Sequence, residues 1–217
     1  MAREIRQQNA KEVIFAALFE RITKRFYTQK QYLREQELSE EFKTSRTPIR
    51  EVLRQLAGLG LVRIVPRKGT EVVGLTNDDV QELYEIRKAL ELLALESALP
   101  FLRLQDLSDL RIRIDSTTPE SPLEEIVALD IDIHNYIAQS SHMRRLQEML
   151  AQLFKLSQRF RTKALLDAQG IIRSNREHLE LVNALFRKDL EAAKAILADH
   201  IENSKNIAIT QLFEGNV

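Results

Sequence analysis

Three of the four histidines in this chain share a helical stripe with apolar residues, and a carboxylate accompanies one of them. Asp130 and His134 are four apart on the stripe that also holds Ile126, Ile133 and Ile137, so a helix here projects both side chains inward together. His178 shares a face with Ile171, Val182 and Leu185, and His200 shares one with Ile196, Leu197 and Ile201. Three imidazoles and one carboxylate on three helices of one bundle can meet around a divalent cation. The plainer alternative is three separate core histidines, each with its own polar partner; a shared cation is favoured because burying imidazoles unpaired is costly. Zinc is the first expectation for such ligands, with nickel, manganese or iron also suited. His142, beside Ser140, Ser141 and Met143 at a helix boundary, reads as an ordinary surface residue.

A second set is basic. Arg46, Arg50 and Arg54 are spaced by four and line one helix face opposite Ile49, Val52 and Leu56, with Ser45 and Thr47 at the N-terminal end. A helix that enters the major groove needs short polar and Arg side chains there, where the positive end of the helix dipole also favours phosphate. Each Arg can donate two hydrogen bonds to guanine or clamp phosphate, and the spacing leaves both roles open. Lys68 and Gly69 sit at a turn between two short β-branched runs, where a glycine lets main chain approach a nucleic-acid backbone closely. Solvated charges and an ordinary turn glycine are the alternative for any one of these residues, but turn, helix and hairpin together favour DNA. A third feature is Arg87, which interrupts the apolar stripe Leu83, Tyr84, Leu90 and Ala94. A buried guanidinium needs an anionic partner, and Glu91 one turn on can supply it.

The elements that must position these residues are set by hydrophobic periodicity. Ile14, Leu18 and Ile22, with Phe15, Phe19 and Phe26, predict a helix over about Asn9 to Phe26. A short helix from Glu35 to Phe42 buries Leu38 and Phe42, and a polar turn comes after it. The next helix has Thr47 as N-cap and Pro48 at its first position, buries Ile49, Val52, Leu53 and Leu56, and ends at Gly58 or Gly60. Strands Leu61 to Val65 and Thr70 to Val73 flank a basic turn. This order makes a winged helix-turn-helix over residues 1–75, joined to the rest of the chain by the linker Gly74 to Asn77. Residues 76–217 read as an antiparallel all-α bundle of about six helices: Asn77 to Leu99, Gln105 to Ile114, Pro122 to Gln139, Met143 to Leu166, Gly170 to Phe186 and Leu190 to Leu212. The fold class is therefore mainly α.

Composition agrees with that division. The 217 residues carry 32 Lys and Arg against 32 Asp and Glu, yet residues 1–75 hold 15 basic and 9 acidic side chains, an excess that suits a polyanion. A hydrophobic content of 44% excludes a disordered chain or a fibre. Four of the six Gly and two of the five Pro fall between Pro48 and Gly74, which leaves the rest free to be helical. The longest apolar run, Val13 to Phe19, is far short of the roughly 20 residues that cross a bilayer, and no signal peptide is visible. The absence of Cys removes thiolate metal sites and fits a cytoplasmic protein.

The stretch Leu33 to Thr70, LREQELSEEFKTSRTPIREVLRQLAGLGLVRIVPRKGT, resembles the DNA-binding domain of the GntR family of bacterial transcription regulators, with SRTPIREVLRQL its most specific part. The resemblance implies that Ser45, Arg46, Thr47 and Arg50 contact operator DNA and that Gly69 lies at the wing tip. One departure is Gln36, where relatives commonly carry Arg. DIDIH at Asp130 to His134, SNREH ending at His178 and ADH ending at His200 resemble the FCD domain of the FadR-type subfamily. That resemblance implies a metal held by Asp130, His134, His178 and His200. It also implies that Arg87, within YEIRKALE, binds the carboxylate of a small organic acid, a role that stands level with the pairing to Glu91. The chain is then expected to be a homodimeric repressor of double-stranded operator DNA and not an enzyme. A metalloenzyme built on the three His and one Asp is the rival, though no His-Glu-x-x-His pattern supports it and it leaves the basic module unexplained. A metal sensor without an organic effector differs only in the role of Arg87.

Overall fold

The four-residue spacing of Ile14, Leu18 and Ile22 does form one buried face, on α1 (Ala2–Thr23), with Phe15 stacked on Phe19 at 6.0 Å. The chain is described from a computed structural model for residues 2–23, 26–58, 60–74, 76–164, 168–210 and 212. Lys24 and Arg25, in the expected last turn of the first helix, lie outside these residues. Phe26 does not join the apolar face: it lies outside the described span of α1 and is 71% exposed. Tyr27 is buried instead, and its hydroxyl accepts a hydrogen bond from Arg21 at 3.0 Å.

A two-residue strand, β1 (Tyr32–Leu33), precedes α2 (Glu35–Glu41), which buries Leu38. Phe42 caps its C-terminus half-buried. Helix α3 (Arg46–Gly58) starts earlier than the expected cap at Thr47, which puts Pro48 third in the helix. The missing N–H still costs nothing there, since the first four have no partner within a helix. Ile49, Val52, Leu53 and Leu56 are buried, and Gly60 at φ +71° turns the chain out. Strands β2 (Val62–Val65) and β3 (Gly69–Val72) pair antiparallel, and β1 adds to the other edge of β3, giving the order β1-β3-β2. β1 is missing from the sequence reading because two residues carry no period. Gly69 corrects another expectation: it pairs with Val65 as the first residue of β3, and the tip is formed by residues 66–68. Its φ of +111° and a would-be Cβ only 3.2 Å from the Leu33 carbonyl oxygen both demand glycine.

The chain divides into two compact units, Met1–Thr76 and Asn77–Val217. In the second, α4 (Asn77–Ala98) leads through a single 3-10 turn (Leu99–Phe101), containing Pro100, to α5 (Leu104–Ser116) and α6 (Leu123–Ser140). Then come α7 (Arg144–Ala164), α8 (Ala168–Phe186) and α9 (Leu190–Ile209). Gly170, expected to open a helix, lies buried inside α8, and Leu75 of the linker and Leu166 lie outside the described residues. α4 packs against α6, α7 and α9, while α8 lies against α5 and α9. Tyr84, Leu95, Ile133, Ile137, Leu181 and Leu197 fill the core between them. Each such side chain contributes roughly 1.5–3 kcal/mol by leaving water.

Candidate metal centre and nucleic-acid interface

Helix α6 delivers Asp130 and His134, α8 His178, and α9 His200, all four buried. One donor atom from each lies within 4.8 Å of all the others. The His134 and His200 Nε2 atoms face each other at 3.3 Å. Asp130 Oδ1 is 3.6 Å from His178 Nε2 and 3.9 Å from His134 Nε2.

The outward sides of two rings explain this convergence. His134 Nδ1 lies 2.5 Å from Glu91 Oε2, and His200 Nδ1 lies 2.7 Å from Glu177 Oε2. A carboxylate at Nδ1 keeps the proton there, orients the ring and leaves Nε2 as a lone pair. Two Nε2 lone pairs aimed at one another repel unless a cation lies between them. Their separation is that of two nitrogens each roughly 2.0–2.1 Å from one tetrahedral ion. The donor set therefore fits a divalent metal. Burial works to raise the Glu177 carboxyl, but hydrogen bonds with His200 and Asn203 and the nearby Arg173 outweigh it and hold it below the usual carboxylate range.

Arg87 is completely buried beside this cluster. Its Nε donates to Glu91 Oε1 at 2.5 Å, so the partner offered by sequence spacing is the one used. Nη2 lies 3.5 Å from His134, whereas Nη1, also buried, has no hydrogen-bond partner among the described residues. Burial opposes the charge, but Glu91, Tyr84 and Asp130 outweigh it and keep the guanidinium protonated. Glu91 thus serves Arg87 with one oxygen and His134 with the other. Sequence reasoning found Glu91 only as a partner of Arg87 and missed Glu177 altogether. Both reach their histidines across helix boundaries, so no spacing rule reveals them. His142 is exposed, with its ring edge-on to Phe101 at 4.7 Å.

In the first unit, Ser45, Arg46, Thr47, Arg50 and Arg54 are all exposed at and beyond the start of α3, and Lys68 is exposed in the hairpin turn. Two of the arginines are tied to the first turn of α2. Arg46 Nη2 donates to Gln36 Oε1 at 3.1 Å. Arg50 grips Glu35 with two bonds, Nε to Oε1 at 2.9 Å and Nη2 to Oε2 at 2.7 Å. Gln36 also donates to Glu40 at 3.1 Å, so the residue that departs from the expected Arg joins two neighbours.

Comparison with known proteins agrees with both halves. Residues 10–72 match the bacterial regulatory proteins of the gntR family, and residues 82–203 match the FCD domain. The uncharacterized HTH-type transcriptional regulator YdhC of Bacillus subtilis (strain 168) is 30% identical, over 79% of this chain and 78% of its own. The structure of E. coli McbR/YncC superposes with a TM-score of 0.63 at 22% identity, covering 93% of this chain and 98% of that one. The Zn2+-bound FCD domain of TM0439 superposes with a TM-score of 0.56 at 21% identity, covering 65% of this chain and 99% of that domain. The chain belongs to the GntR family of bacterial regulatory proteins, in the branch with an FCD domain. It is a transcriptional regulator, like its named relatives, which are regulators rather than enzymes. Among the described residues no helix is long and apolar enough to cross a membrane.

Proposed function

We propose that this regulator is a cytoplasmic homodimeric repressor, in which residues 1–75 bind an inverted-repeat operator and residues 76–217 hold a metal and a small organic acid. The metal is divalent, zinc first, and its ligands are Asp130, His134, His178 and His200. The observation that carries the reading is the pair of Nε2 atoms 3.3 Å apart whose Nδ1 atoms both meet carboxylates. When bound, the ion supplies a Lewis-acid position that an effector carboxylate can occupy. The protein's own groups favour such an anion. Glu91 and Asp130 carry two buried negative charges against one on Arg87, and Glu177 is offset by Arg173 at 4.0 Å. A divalent cation leaves the pocket one positive charge in excess, and the spare Nη1 of Arg87 supplies a donor for the second carboxylate oxygen. On the DNA side Ser45, Arg46, Thr47, Arg50, Arg54, Lys68 and Gly69 form the contact set.

Three of the four ligands sit on helices that pack against α4, and Glu91 belongs to α4 itself, the helix that begins directly after the first unit. An acid that binds differently to two arrangements of this cluster shifts their populations and moves the start of α4. Elemental analysis should find one divalent ion per chain, lost in His134→Ala. Titration with small dicarboxylates and sugar acids should show binding that Arg87→Ala abolishes. A metal-free protein whose melting temperature ignores chelator would sink the site. Acid binding indifferent to Arg87→Ala would leave the metal and remove the clamp. One helix-turn-helix covers a single half-site, so light scattering at micromolar concentration should give a dimer; a monomer binding one unrepeated site would contradict this.

A further inference from the structure

The grip of Glu35 on Arg50 is the least expected contact in the DNA-facing unit, because it places a carboxylate in a row of arginines. Glu35 is 33% exposed and Arg50 54%, so the pair adds little to stability. Its geometry is more informative than its energy. A guanidinium has two edges able to make paired parallel hydrogen bonds, the side edge formed by Nε and Nη2 and the terminal edge formed by Nη1 and Nη2. Glu35 occupies the side edge with bonds of 2.9 and 2.7 Å. That fixes the plane of the group and leaves the terminal edge of this half-exposed side chain without a hydrogen bond among the described residues.

We propose that Glu35 is a positioning residue for sequence readout: it holds Arg50 by one edge so that the other is presented to guanine O6 and N7, and it keeps Arg50 from turning onto a phosphate. The proposal rests on the reading of α3 as the recognition helix and says which role Arg50 plays in it. An unbuttressed arginine at this position can rotate about its long side chain and meet any phosphate, which gives affinity without sequence information. A carboxylate already on its side edge satisfies those donors, sets the direction of the rest and repels phosphate at the same place. The hydrogen bonds from Arg50, together with Arg46 and Arg54 nearby, hold the Glu35 carboxyl below its ordinary range despite partial burial. Arg46 is held differently, by one bond to the neutral Gln36 amide, and keeps more freedom for phosphate.

The test is affinity selection from a pool of duplexes with a randomised core, run in parallel with the full-length wild type, Glu35→Gln, Arg50→Ala and the double variant. Glu35→Gln keeps the shape of a surface side chain, removes its charge and turns one of its two acceptor oxygens into an amide donor, so that it holds Arg50 by one bond at most. The wild type should enrich an inverted repeat with a strict guanine in each half-site. Glu35→Gln should keep the repeat but lose about ten-fold of the preference at one guanine. Arg50→Ala should lose the same position, and the double variant should lose no more than Arg50→Ala there. On the unselected pool Glu35→Gln should bind more tightly than wild type, with a salt dependence steeper by roughly 0.9 in the log–log slope as the freed Arg50 takes a phosphate. A purely structural ion pair would lower the melting temperature without touching one base position. Unchanged base preferences in Glu35→Gln, or loss at a position that Arg50→Ala leaves intact, overturn the proposal while the recognition helix stands. A wild type that enriches no sequence overturns the recognition helix and the proposal together.

Discussion

Glu91 and Glu177 occupy parallel positions, each behind one histidine, yet they predict different phenotypes. Glu177 is half-buried and shares its load with Asn203 and Arg173, so Glu177→Ala should leave a folded protein whose metal affinity falls about 10–100-fold, read by competition with a chromophoric chelator. Glu91 also neutralises Arg87, and Glu91→Gln should therefore cost stability as well as metal, because it leaves a guanidinium buried without its counter-charge. Equal affinity in wild type and Glu177→Ala would mean that the carboxylate does not set the His200 tautomer. The four proposed ligands were visible in sequence because each lies on an apolar stripe, where a polar side chain is conspicuous. The residues that orient them were not. Glu91 and Glu177 reach their histidines from other helices, and Glu35 reaches Arg50 from across a turn.

At the scale of elements, the six long helices of the second unit were legible because Pro and Gly are scarce and the 3.6-residue period is sustained. Boundaries shifted by a few residues, as with Gly170, which lies within α8 rather than at its start. The first unit shows the opposite case. β1 is two residues long and exists only through its partner, pairing Leu33 with Thr70 on β3. Gly69 makes this possible, since a side chain there would meet the Leu33 carbonyl in a backbone conformation that disfavours any Cβ. Gly69→Ala should destabilise the first unit by about 1–3 kcal/mol, measurable as a lowered melting temperature. A melting temperature equal to that of wild type would show that β1 can be displaced freely.

At the scale of the whole chain, α4 and α9 are tied by ion pairs as well as by packing. Lys205 and Lys88 hydrogen-bond the exposed Glu85 carboxylate and draw it down to about 2, and Glu202 pairs with both lysines. A carboxyl held below its unfolded value stabilises the fold above that value, and the contribution is lost as pH falls toward the folded one. Glu85→Gln should therefore melt slightly below wild type at neutral pH. The gap should shrink as pH drops through 4.5 and close near 2. High salt should narrow it as well, because both carboxylates are exposed; a gap constant across pH would show that the ion pairs contribute nothing.

The wing has a reach in mutational terms that its size conceals. β1 is separated from α2 by Arg34 alone, and α2 holds Arg46 and Arg50 through Gln36 and Glu35. The contact between Gly69 and Leu33 is thus the near end of a short mechanical train that finishes at the two arginines. A genetic screen for alleles that no longer occupy the operator should return lesions at Leu33 and Gly69 among those at the arginines. The Leu33 alleles would act without touching DNA, and restoring the strand pairing would suppress them, whereas restoring charge would not.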